Sequence, residues 1–182
     1  RSLFDLDARP DMISAQLMRD PVLGDMVERN PGLRVPGAFD GFELAVRAIL
    51  GQQITVKAAT TLAGRYADAF GERVETPHHS LTHLTPTAER VAELRIDDIA
   101  SLGVIKSRAL GILALATEIA SGRLVLDAGT EPEAAMKQLV ALPGIGMWTA
   151  HYIAMRALRW PDAFPKEDIA LRNRLGGVTV AR

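Results

Sequence analysis

In Leu142-Pro143-Gly144-Ile145-Gly146-Met147-Trp148-Thr149-Ala150 two helices are expected to meet at a tight hairpin. A helix reaches Leu142, and Pro143 cannot continue its hydrogen-bond ladder. Glycines at 144 and 146 permit positive φ and close backbone approach. Ile145 between them is apolar and is expected to plug the turn into a core. A second helix is expected to start near Gly146, with small Ala150 on its inner face. The first amides of such a helix have no intrahelical partner. With the helix dipole behind them they suit a phosphate oxygen. A contact of that kind positions a duplex without reading its sequence. The hairpin alone is also compatible with an ordinary connector between helices.

Outward from the hairpin, helical periods dominate. Upstream, Thr130-Glu131-Pro132-Glu133 reads as a capping box with Thr130 at the cap, opening a helix to about Ala141. Lys106 to Ala120 is the clearest long helix, with Ala109, Ile112, Leu113, Ala116, Ile119 and Ala120 on one face. Phe42, Val46, Ile49 and Leu50 mark another apolar face, interrupted by Gly51-Gln52-Gln53 before helical character resumes from Ile54 to Phe70. Short helices are expected at Asp11 to Met18, Val22 to Arg29, Thr87 to Leu94 and Asp97 to Leu102. Only Leu124 to Leu126 has local β character, too little for a sheet. The expected class is all-α, with about ten short helices. His78, His79 and His83 lie in a polar loop; adjacent histidines cannot share one helical face, so a solvated loop is expected rather than a metal site.

The 182 residues are 48% hydrophobic and 24% charged, as in an ordinary globular protein. There is no cysteine, which excludes disulfides, iron–sulfur clusters and thiolate zinc sites. No apolar run is long enough to span a bilayer. The opening residues carry no signal-peptide pattern, and the chain is expected to be part of a longer protein. The net charge of −1 argues against a simple basic nucleic-acid binder. From Trp148 to Arg182, however, six lysines and arginines face three acids, a locally positive end.

Sixteen residues after Tyr152, Asp168 opens a helix behind a short linker in Phe164-Pro165-Lys166-Glu167-Asp168-Ile169-Ala170-Leu171-Arg172. Together with the hairpin this resembles the helix-hairpin-helix (HhH-GPD) DNA glycosylase superfamily, and within it the bacterial 3-methyladenine DNA glycosylase II branch. Leu3-Phe4-Asp5-Leu6 with Asp11, and Phe42-Glu43-Leu44-Ala45-Val46-Arg47-Ala48-Ile49-Leu50-Gly51-Gln52-Gln53-Ile54-Thr55, follow in the family's order, so the resemblance covers nearly the whole chain.

The resemblance implies a two-lobed helical fold with a DNA cleft between the lobes. Residues 41–160 would form the hairpin-bearing lobe, and 1–40 with 161–182 part of the other, truncated at its C-terminus. The family's N-terminal mixed α/β domain is expected to be absent. The implied activity is release of alkylated bases from double-stranded DNA by a monomer in the bacterial cytoplasm, at the nucleoid. The rivals are a non-catalytic DNA-binding module built on the same hairpin and a helical domain with no nucleic-acid partner.

By the same resemblance Asp168 is the catalytic aspartate, a carboxylate that stabilises positive charge on the sugar. It is also placed to cap a helix, and the two roles are compatible. Adjacent Glu167 is expected to point elsewhere. Trp148 and Tyr152, at i and i+4 on one helix face, match aromatic positions of the base pocket. There a cationic base would gain ~0.5–2 kcal/mol of cation–π attraction. Lyase-competent relatives carry a lysine where Trp148 stands, so a monofunctional enzyme using water is implied. Gln52 and Gln53 match a loop that enters the gap left by a flipped base. Some relatives have leucine at the position of Gln53; glutamine there can hydrogen-bond the orphaned partner base. Gly144, Gly146 and Thr149 belong to the DNA-binding hairpin. The carbonyls of Val140, Leu142 and Ile145 match positions that hold a monovalent cation, Na+ or K+; no organic cofactor is implied. His151 is expected to be structural or to face DNA.

Overall fold

A computed structural model describes residues 1–174. Ten α-helices follow one another among them: α1 Pro10–Leu17, α2 Gly24–Arg29, α3 Gly41–Leu50, α4 Val56–Phe70, α5 Ala88–Ala92, α6 Ile96–Ala100, α7 Lys106–Ala120, α8 Pro132–Ala141, α9 Met147–Arg156 and α10 Ile169–Arg174. No named strand occurs among the described residues; one isolated antiparallel bridge joins Arg73 and His83. Leu124 and Leu126, the stretch with β character, are buried core residues without strand partners. The all-α class therefore holds.

The chain divides into two compact units, Arg1–Phe39 and Asp40–Arg182. In the first, α1 packs on α2 and neither helix has a buried residue. The second unit includes residues 161–174, from the segment that the resemblance assigned to the other lobe. The final eight residues of that segment lie outside the described residues.

The core of the second unit is built on α3, α7 and α9. Asp40 starts α3 by accepting the Glu43 amide at 2.6 Å, and Thr55 starts α4 by accepting that of Ala58 at 3.2 Å. The predicted α3 face is the buried one: Phe42, Val46, Ile49 and Leu50 are all in the core. Helix α3 lies against α4, α7 and α9, while α5 and α6 cover α7 and α8 covers α9.

Two expectations shift. In α7 the buried set is Ala109, Gly111, Ile112, Leu115 and Ala116, while Leu113, Ile119 and Ala120 are half-buried. Several packed neighbours widen the buried arc beyond one stripe. Gly111 marks a close approach, because a Cβ there would meet the Pro143 carbonyl oxygen at 2.7 Å. The cap of α8 is Glu131, not Thr130: its carboxylate accepts the amides of Glu133 and Ala134 at 3.1 and 2.6 Å. This puts Pro132 first in the helix, where its missing N–H costs nothing, and Thr130 donates to Asp127 instead.

Candidate functional site

The hairpin forms as its residues dictate. Helix α8 stops at Ala141, and Leu142 turns extended as its C-cap. Gly144 takes φ +75°, the left-handed corner that favours glycine. Ile145 is 4% exposed and anchors the turn in the core. Gly146, which also permits positive φ, does not use that freedom. It has φ −85° and is the N-cap of α9, with open space where a Cβ would stand. No side chain caps α9, so its first amides carry no side-chain partner.

The carbonyl oxygen of Leu142 accepts the Ile145 amide over a long 3.3 Å. Among the described residues no hydrogen bond is made to the carbonyls of Val140 or Ile145. Neutral carbonyl oxygens of this kind are the donor type that a monovalent cation takes. Among the described residues no group of three histidines and carboxylates could hold a metal, and His83 instead faces Asp68 at 3.2 Å.

Asp168 caps α10. One carboxylate oxygen, Oδ1, accepts the amides of Ala170 and Leu171 at 2.9 and 3.1 Å. The other, Oδ2, accepts the indole N–H of Trp148 at 2.9 Å. These donors, the Leu171 amide foremost, hold its pKa below the ordinary 3.8 against the opposing effect of burial. A cleft of about 580 Å³ opens beside them, lined by Gly51, Gln52 and Gln53, the hairpin residues Gly144, Gly146, Trp148 and Thr149, and the stretch from Glu167 to Ala170. The sequence candidates at 52, 53, 144, 146, 148, 149 and 168 thus share one cavity.

Trp148 stacks on Tyr152 with ring centroids 5.4 Å apart and planes 9° from parallel. The guanidinium of Arg156 lies 5.6 Å from the Tyr152 centroid. One helix face therefore carries a ladder at 148, 152 and 156, with Tyr152 in the middle. A second cleft of about 450 Å³ follows this ladder between α3, α4 and α9, and Gly51 and Trp148 line both clefts.

Some placements differ from expectation. Gln52 is turned into the protein: its amide donates to the Gly144 carbonyl at 2.9 Å and to Thr149 Oγ1 at 3.1 Å. Thr149 is 3% exposed. Gln53 is exposed, with φ +53°. Glu167 lines the same cleft as Asp168, because both precede α10 and the angular spacing of a helix does not separate them; its Oε2 is buried with no hydrogen-bond partner among the described residues. His151 stacks on Trp160 with ring centroids 6.5 Å apart. Sequence reading missed Arg156, although its i+4 spacing from Tyr152 was visible. It also missed Arg108, whose guanidinium donates to the Gln52 carbonyl.

A family model described as "HhH-GPD superfamily base excision DNA repair protein" matches residues 46–178. The chain belongs to this superfamily. Residues 1–40 match a model described as "AlkA N-terminal domain", nearly coincident with the first compact unit. Among relatives of this HhH-GPD chain is a Mycobacterium tuberculosis protein named "Probable bifunctional transcriptional activator/DNA repair enzyme AlkA". It is 48% identical over 172 residues, which are 94% of this chain and 34% of that protein. "DNA-3-methyladenine glycosylase 2" of Escherichia coli is 36% identical over 180 residues, 99% of this chain and 61% of that one. The chain thus spans between about a third and three-fifths of these two relatives. Among solved structures, a 3-methyladenine DNA-glycosylase from Archaeoglobus fulgidus matches with TM-score 0.73 and 26% identity, over 90% of this chain and 56% of that one. An 8-oxoguanine glycosylase/lyase of Clostridium acetobutylicum, solved with dsDNA, gives TM-score 0.83 at 21% identity over 99% of this chain and 61% of that one, a likeness of fold.

Proposed function

We propose that this chain is the hairpin-bearing part of a monofunctional DNA N-glycosylase that flips out an alkylated base and releases it by hydrolysis. The observation that carries the reading is the Trp148–Asp168 hydrogen bond, which joins an aromatic face and an ionised carboxylate in the cleft that the hairpin lines. The names of the relatives point the same way.

In this reading the free amides at the start of α9 take a phosphate oxygen of the duplex. Val140, Leu142 and Ile145 would hold a monovalent cation through their carbonyls, and the ion would supply positive charge beside that phosphate. Gln53 enters the gap left by the flipped base. The extruded base stacks on Trp148, whose other face is backed by Tyr152, itself covered by Arg156. Flipping costs a few kcal/mol and is cheapest where alkylation has already weakened the pair. Asp168 then acts by charge. A carboxylate with a depressed pKa and both oxygens hydrogen-bonded is a poor proton acceptor, but it is rigidly held and ionised. It stabilises the positive sugar as the C1′–N bond breaks and the bond's electron pair goes to the base. Water supplies a hydroxyl to C1′, and the remaining proton leaves to solvent. The protein works as a monomer on chromosomal DNA in the bacterial cytoplasm.

The test is release of free base from a duplex carrying one alkylated purine, measured on the full-length protein. Salt-dependent DNA binding without base release would replace the glycosylase with a binding module; no DNA binding at low salt would remove both.

A further inference from the structure

We propose that Gln52 is a positioning residue that locks the hairpin to the α3–α4 turn, leaving Gln53 as the residue of that turn that meets DNA. The consequence for base release rests on the glycosylase reading; the lock itself does not.

A glutamine amide has two N–H donors, and Gln52 spends them on the Gly144 carbonyl at 2.9 Å and Thr149 Oγ1 at 3.1 Å. Gly144 is the left-handed corner of the hairpin. Thr149 sits in the first turn of α9, almost wholly buried, so its hydroxyl faces protein rather than a ligand. The main-chain carbonyl of Gln52 accepts the guanidinium of Arg108, from the first turn of α7. One residue thereby ties the α3–α4 turn to the hairpin and to α7. No donor on its side chain is left for a base edge.

The next residue shows what the tie holds. Gln53 has φ +53°, a region that residues other than glycine rarely adopt. Such a corner persists where its surroundings over-determine it. Here Gln52 pins one side and Thr55, capping α4 through the Ala58 amide, pins the other. The hairpin and the tip that carries Gln53 therefore form one body. A phosphate seated on the hairpin fixes where the Gln53 side chain stands.

The test uses the full-length protein and two readouts. Amide hydrogen exchange of the free protein follows segments 51–55 and 144–149. Single-turnover base release and affinity for undamaged duplex follow function. In Gln52→Ala both segments are expected to exchange about tenfold faster together, with α5 and α6 unchanged. Base release should fall about tenfold while affinity for undamaged duplex moves less than about threefold, since one hydrogen-bond network is lost and the phosphate anchor is kept. Gln52→Glu keeps the size but sets a carboxylate against the Gly144 carbonyl, and should match or exceed these losses. Thr149→Val removes one of the two acceptors and should show part of the exchange effect, which Thr149→Ser, keeping the hydroxyl, restores. In combination with Gln52→Ala, Thr149→Val should add less than its single effect. Unchanged exchange in both segments of a folded Gln52→Ala protein would overturn the lock. So would exchange that rises in one segment alone. Exchange needs no turnover, so a protein that releases no base still decides this point.

Discussion

The indole N–H of Trp148 donates to Oδ2 of Asp168 across 2.9 Å, while Oδ1 of the same carboxylate holds the amides of α10. The tryptophan therefore offers two things at right angles: a face for stacking and an edge that orients the carboxylate. The face is backed by Tyr152, which is itself covered by Arg156. In the proposed reaction that one ring would place a base stacked on Trp148 relative to a sugar beside Asp168.

Trp148→Phe keeps an aromatic face and removes the edge donor. The Asp168 pKa lies below 3.8 in the folded protein, partly because of that donor. A depressed carboxylate pKa adds stability that is complete above the unfolded value and is lost as pH falls through the folded one. The titration of Asp168, followed by the NMR shift of its carboxyl carbon in the free protein, is expected to move upward in Trp148→Phe, toward the ordinary value. The acid-side loss of stability from this group should be smaller and should be complete at correspondingly higher pH. An unmoved titration would show that the helix amides alone set it.

The two hairpin glycines should separate under substitution. Gly144 has φ +75°, so Gly144→Val strains the backbone whatever the space around it, costing about 1–3 kcal/mol. Gly146 has an ordinary φ and open surroundings. Gly146→Val should fold, yet its branched side chain stands at the start of α9, where a phosphate would sit. Affinity for damaged and undamaged duplex should fall alike, by about tenfold, as for a lost charge-assisted contact. Melting temperature and duplex binding, measured on both variants, check the split. A Gly146→Val protein with unchanged affinity removes the hairpin as anchor.

Most of this site was legible because its parts are local. Proline and spaced glycines announce a hairpin through backbone restriction alone, and an aspartate behind a linker announces a cap. The i, i+4 spacing of Trp148 and Tyr152 put them on one face. What stayed hidden depends on tertiary register. The amide partners of Gln52 lie 92 and 97 residues away, and no periodicity of α3 specifies them, so Gln52 read, like Gln53, as part of a loop that enters the gap left by a flipped base. Glu167 was misplaced because a helical angle was applied to a residue that precedes its helix. Thr130 lost the α8 cap to Glu131 because proline prefers the first helical position.

Lys166 tests the choice of water as nucleophile. Trp148 presents an indole rather than an amine beside Asp168, and Lys166 is exposed and does not line the Asp168 cleft. The expected products are free base and an intact abasic strand. Borohydride added during turnover should trap no protein–DNA adduct, since among the described residues no lysine lines the Asp168 cleft. Efficient trapping that disappears in Lys166→Ala would make Lys166 the nucleophile.

Asp168→Asn tests the charge itself, and the geometry sharpens what it should do. The aspartate uses both oxygens as acceptors, one for α10 and one for Trp148. An asparagine has a single acceptor oxygen and an amide group that donates. It can cap α10 or accept from the indole, but not both. Asparagine caps helices about as well as aspartate, so the cap is expected to survive and the NH2 to be left facing the Trp148 N–H. Stability should fall modestly, by about 1 kcal/mol for the hydrogen bond lost. Base release should fall far more, by ~10²–10³, as when one preorganised electrostatic partner of a transition state is removed. Affinity for duplex should hold or tighten slightly, since a negative charge beside the phosphates is gone. Single-turnover base release, duplex affinity and thermal unfolding of the full-length variant read the three quantities separately. A folded Asp168→Asn protein that releases base at near wild-type rate would leave Asp168 as a helix cap and nothing more.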